Sequence, residues 1–249
     1  MLFSNWFQQP IRCPVAPDSK RWIEEGFQWL TQTLGPPTLL RSQFVLPTTE
    51  FFPDGFQCTP AGVENLLHRC CQYFGLPAYQ MELAYYEADR PDFEIQREPG
   101  QIVPGAKVEI WIEVEVLNDP LLLMATLTRE LGHALLVMQD PLLELESDHE
   151  QFSELVAIFH GCGFFLAERG LTSHNWSDGQ WSGTEFQRHA YLSLDMIGYA
   201  MALYALARQD SAPQWLSFLR PDIRQAFQLG VRYIQETGDC GFLPALPQA

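Results

Sequence analysis

Apolar residues recur along this chain with two different periods, and the change between them divides it into two halves. In SKRWIEEGFQWLTQTL, residues 19–34, Trp22, Ile23, Phe27, Leu30 and Leu34 fall at helical spacing. Ser19 is suited to cap that helix and Gly35-Pro36-Pro37 to stop it. Phe44-Val45-Leu46 reads as a short strand ended by Pro47, and TTEFFPDGFQC, residues 48–58, as a proline-broken loop. A second helix opens at Thr59-Pro60, with Thr59 as cap and Pro60 in the first turn. Its apolar stripe is Val63, Leu66, Leu67, Cys70, Cys71 and Phe74. Residues 80–87 and 92–97 read as strands. The clearest strand is KVEIWIEVEV, residues 107–116, where Val108, Ile110, Ile112, Val114 and Val116 alternate with Glu109, Trp111, Glu113 and Glu115. That is period 2, with one face to bury and one acidic face.

Asp119-Pro120 then starts a helix, and from there the pattern is helical throughout. The expected helices are 120–138, 148–168, 188–208 and 221–236. The order is therefore α+β, with a small mixed sheet before a helical region. We expect one domain over 1–249, with an α/β lobe at 1–118 and a helical lobe at 119–249.

Composition narrows the partners. The chain has 249 residues, 47% of them hydrophobic, so it can bury a sizeable core. Its formal net charge of -16 argues against nucleic acid and against an anionic membrane surface. The amino-terminal MLFSNWFQQPIRCP lacks the basic start and apolar run of a signal peptide, and Asp195 interrupts the longest uncharged apolar stretch, so we expect a cytoplasmic protein without a membrane span. The six cysteines show no metal-knuckle spacing and read as buried reduced thiols.

The candidate chemistry lies in ATLTRELGHALLVM, residues 125–138. Arg129-Glu130-Leu131-Gly132-His133 follows the zinc-peptidase pattern H-E-x-x-H except at its first position. In that pattern two histidines one turn apart hold a zinc, and the glutamate activates its bound water. Glu130 holds the place of the base and His133 that of the second ligand. On the next helix Glu150 and Glu154 stand four residues apart on one face. Glu150 suits a third ligand and Glu154 a carboxylate that orients a ligand from behind. Arginine offers a metal no lone pair and carries a fixed positive charge. At Arg129 we expect the guanidinium to replace the metal and reach Glu150 or Glu154.

This layout resembles a gluzincin, a zincin metallopeptidase whose third zinc ligand is a glutamate. Strand 107–116 matches the edge strand that pairs with an extended substrate, and the carboxy-terminal helices match the second lobe of the cleft. More narrowly, VLPTTEFFPDGF, LTRELGHALL, FSELVAIFHGCGFFLAE and YLSLDMIGYAMALYA resemble segments of a bacterial family of zincin-like proteins whose helix reads H-E-L-x-H. The resemblance implies a zincin-like fold. It also implies that His189 or Tyr191 is placed to stabilise an oxyanion.

Ordinary structural roles stand beside each of these. Glu130 reads equally as a polar helix position, His133 as a hydrogen-bonded cleft histidine, and His149 as a surface residue or substitute ligand. His160 reads as core or surface, and Asp195 with Tyr199 as a structural pair. Gly161, Cys162 and Gly163 suggest close helix packing. Residues 173–187 read as a long polar loop in which Trp176 and Trp181 are binding candidates, alongside Trp111 on the strand. The expected function is a catalytically inactive pseudopeptidase that binds a peptide or protein, with no cofactor. The alternative is an active metallopeptidase that keeps zinc through an altered ligand set with Glu130 as base.

Overall fold

A computed structural model describes residues 11–87, 107–139, 147–169, 171–177, 182–188 and 190–242, with only the backbone described over 171–188. The expected strand at 92–97, and with it His189 and Trp181, lies outside the described residues. The fold is mixed and mostly helical, with a small two-stranded parallel sheet.

Helix α1 spans Pro17–Leu34 and buries Ile23, Phe27 and Leu30. It starts on Pro17 rather than at Ser19, because proline's fixed φ suits a first helical turn. Gly35, at φ 82°, ends it, and the two prolines then open helix α2, Pro36–Arg41, instead of serving as a mere stop. Helix α3, Pro60–Phe74, follows the expectation residue for residue. Thr59 Oγ1 accepts from Gly62 N–H at 3.1 Å, and all six stripe residues are buried.

Strand β1, Met81–Tyr86, pairs in parallel with β2, Val108–Glu113, with Leu83 opposite Ile110. Ile110 and Ile112 point into the core. Beyond Glu113 the chain turns into a short 3-10 segment, so Val114 is exposed instead of continuing the buried face. Asp119 Oδ1 then accepts the amide protons of Leu121 and Leu122 at 3.1 Å, starting helix α4, Pro120–Gln139. Among the described residues α4 is the one helix long and apolar enough to cross a membrane, and 67% of its apolar window is buried within the fold.

The expected helix 148–168 is broken into α5, His149–Phe159, and α6, Gly163–Arg169. Gly161 makes the break at φ 86°, where a Cβ would stand 2.1 Å from Gln43 carbonyl oxygen. Val45 N–H donates to Gly161 carbonyl oxygen at 2.9 Å. Residues 44–46 are therefore a buried extended segment crossing the break, not a strand of a sheet. After α6 the chain is not all helical. Strands β3, Leu171–Ser177, and β4, Ser182–Arg188, form an antiparallel hairpin where a polar loop was expected. Helix α7 covers only Leu194–Ala207, capped by Ser193, and α8 covers Pro221–Thr237.

One buried cluster runs from Val15 to Phe242 and joins both halves. Glu24 is its buried carboxylate on α1, held by Lys20 at 3.0 Å, by Tyr199 hydroxyl at 2.6 Å and by Gly241 N–H at 3.1 Å. Tyr199 therefore pairs with Glu24 and not with Asp195. Cys70, Cys71 and Cys162 are buried thiols, whereas Cys58 is exposed. His160 is buried, with Nδ1 3.3 Å from Tyr73 carbonyl oxygen and its ring stacked on Phe74 at 4.8 Å. Burial pushes its pKa down to about 4, against a smaller upward pull from the Tyr73 carbonyl. The unfolded chain therefore takes up this proton first as pH falls. The stability given by the neutral imidazole is complete above about pH 6.5 and is lost as pH falls towards about 4. Denaturant titrations should show the stability difference between wild type and His160→Phe shrinking by up to about 3 kcal/mol across that window. A pH-independent difference would remove His160 from acid unfolding.

Candidate functional site

The site is built where α4 and α5 meet. A Cβ on Gly132 would lie 2.3 Å from Ser153 carbonyl oxygen, so only glycine lets the two backbones approach this closely. The contact sets Arg129, Glu130 and His133 of α4 against the first turns of α5. His133 and His149 face one another with ring centroids 5.6 Å apart.

Arg129 occupies the middle of this arrangement, with its side chain 23% exposed. Its Nη2 lies 3.0 Å from Glu130 Oε1 and its Nε 3.8 Å from Glu150 Oε2. Its guanidinium carbon stands 5.5 Å from the centre of the Tyr191 ring. Burial works against the charge, but Glu130, Glu150 and Tyr191 outweigh it and the pKa rises. The expected contact with Glu150 is thus present at long range, while the closest carboxylate is Glu130 from the same helix. His149 also reaches Glu150, with Nε2 3.5 Å from Oε1.

Glu154 takes a different part. It is 1% exposed, and its two carboxylate oxygens accept the amide protons of Tyr191 at 2.9 Å and Leu192 at 2.8 Å. It ties the segment before α7 to α5 and so fixes Tyr191 beside Arg129. Tyr191 does not open a helix, since α7 begins at Leu194, but its ring does reach the site. Burial and then Glu150 raise its pKa, with Arg129 pulling the other way, so the phenol keeps its proton.

At the three ligand places of the pattern stand Arg129, His133 and Glu150, and the arginine offers a metal no lone pair; His149 is a further donor beside the other two. Glu150 already faces a guanidinium and an imidazole. Among the described residues no group of three His, Cys, Asp or Glu side chains is placed to hold a metal.

The arrangement opens into a cleft of about 630 Å³. Its lining takes Trp111, Glu113 and Glu115 from β2 and the turn after it, Arg129 and Glu130 from α4, Glu150 and Glu154 from α5, and Tyr191 from the segment before α7. Tyr86 and Arg169 line it too, with apolar residues such as Leu122 and Leu166, and nothing in the local sequence pattern signals Tyr86 or Arg169. Five glutamates face two arginines, and Arg169 is already engaged by Asp119 at 2.9 Å. The cleft is therefore acidic. Trp176 lies on β3, its side chain outside the description.

No family model, curated protein or solved structure matches this chain.

Replacing Glu154 by glutamine removes one acceptor and points an N–H₂ group at a buried amide. Glu154→Gln should lose about 1.5–3 kcal/mol of stability, with faster hydrogen exchange at the amides of Tyr191 and Leu192. Unchanged exchange at those two positions would refute the anchoring role.

Proposed function

We propose that this chain is a zincin-like protein in which an internal cation has replaced the metal, and that it binds a basic, extended peptide in the residual cleft without cleaving it. The observation that carries the reading is Arg129, whose guanidinium lies between Glu130 and Glu150 where the gluzincin pattern requires a histidine and a metal. The order β2, α4, α5 supports it, because the strand and the two motif helices all line one cleft. Glu130 is engaged by Arg129, so its carboxylate neutralises a cation in place of activating a metal-bound water.

The ligand class follows from charge and shape. Glu113, Glu115 and Glu150 give the cleft a negative excess that attracts Lys and Arg side chains. Strand β2 carries Trp111 into the lining of the cleft beside these carboxylates, which suits an extended peptide. The six free thiols support a reducing, cytoplasmic setting.

Metal analysis separates this reading from a metallopeptidase with an altered ligand set. The purified protein should carry no zinc, before or after zinc addition, whereas Arg129→His should take up about one ion per chain as a third donor is restored. Stoichiometric zinc in the wild type would sink the proposal and restore the enzyme.

Binding is tested with Lys- and Arg-rich peptides against acidic ones of equal length. The basic peptide should bind, more weakly as salt is raised. Glu113→Gln with Glu115→Gln should weaken it by roughly three- to tenfold. Equal affinity for acidic peptides would exclude charge-led recognition.

A further inference from the structure

A second cavity, of about 260 Å³, lies on the other side of the first turn of α5. Its walls are aromatic. Trp22 and Trp29 come from α1, one on each side of Phe152 from α5. Their ring centroids lie 6.0 and 5.5 Å from that of Phe152, with interplanar angles of 74° and 61°. Gly26 also lines it, and a Cβ there would stand 2.5 Å from Leu155 Cδ2 and 3.0 Å from Phe152 Cε2, so α1 and α5 lie close together beside the cavity. Each indole is thus set at a steep angle to the Phe152 ring, and all three line one small space.

Asp148 and Glu25 bring two carboxylates to the lining beside the imidazole of His149, and no Lys or Arg is among the lining residues described. Asp148 is held in place, since Trp22 Nε1–H donates to its Oδ2 at 2.5 Å. That bond also fixes the plane of the Trp22 indole. Aromatic faces carry negative potential, and a cation beside them is attracted without needing hydrogen bonds. Carboxylates at the rim add long-range attraction. An ammonium with N–H donors would prefer water. An alkylated ammonium, which has no donors to satisfy, loses less on entering such a space.

We propose that the cavity between Trp22, Trp29 and Phe152 is a binding site for a quaternary ammonium head group. The site is independent of the acidic cleft, because none of its rings lines that cleft.

Choline titrated into the full chain tests this, with tryptophan fluorescence and calorimetry as readouts. Choline should saturate one site. Its neutral carbon isostere, of the same shape, should bind about tenfold more weakly, the discrimination expected of a partly desolvated cation–aromatic site. Asp148→Asn should weaken choline and leave the isostere unchanged. Trp29→Leu should erase the preference for charge while keeping apolar contact with Phe152. Vesicles of phosphatidylcholine present the same head group. Tighter binding of free choline assigns a soluble ligand, and tighter binding of vesicles assigns a lipid, and both support the site. Equal affinity for choline and its isostere overturns the proposal, as does failure of both choline and vesicles to saturate. The isostere comparison on wild type stands even if Trp29→Leu fails to fold.

Discussion

Helices α4 and α5 meet backbone against backbone at Gly132 and Ser153, and most of what is distinctive about the molecule hangs on that approach. It places Arg129 near Glu150 and His133 near His149, and it buries Glu154 where both oxygens can reach the chain ahead of α7. Any side chain at 132 would drive a carbon into a carbonyl that has no freedom to move aside. Through Glu154 the same crossing sets Tyr191, and through Phe152 on the outer face of α5 it sets the aromatic cavity against α1.

Within that frame the electrostatics turn on one fixed cation. A half-buried guanidinium costs solvation, and Arg129 recovers it from Glu130 at contact distance, from Glu150 farther off and from the Tyr191 ring. Removing the cation would leave Glu130, only 8% exposed, with a repulsive neighbour and without its closest partner. A single guanidinium can satisfy such a pair without the directional lone-pair donors a metal demands.

The two sides of the first turn of α5 then have related but distinct characters. Glu150 faces the broad acidic cleft, while Asp148 and Phe152 face the narrow aromatic cavity, and His149 lies between. Both are lined by carboxylates, in keeping with the net charge of -16. They differ in what they add to charge. The cleft adds several carboxylates, and the smaller cavity adds three aromatic rings.

Local rules were enough wherever one element's own residues decide its form. The alternation from Val108 to Ile112, the cap at Thr59 with the stripe of α3, the start at Asp119-Pro120 and the pairing of Arg129 with nearby carboxylates can all be read from spacing and residue type. Where a distant segment decides, spacing misleads. The helix through 160 breaks because Gln43 passes over Gly161, Tyr199 reaches Glu24 in place of its neighbour Asp195, and Glu154 bonds main chain that follows it by 37 positions. Tyr86 and Arg169 join the cleft only because separate elements converge there. The sequence by itself determined where α3 and α4 start, the alternation in β2 and the charge at position 129. Tertiary structure alone decided which carboxylate that charge meets and which rings enclose the second cavity, because those contacts depend on packing between elements far apart in the chain.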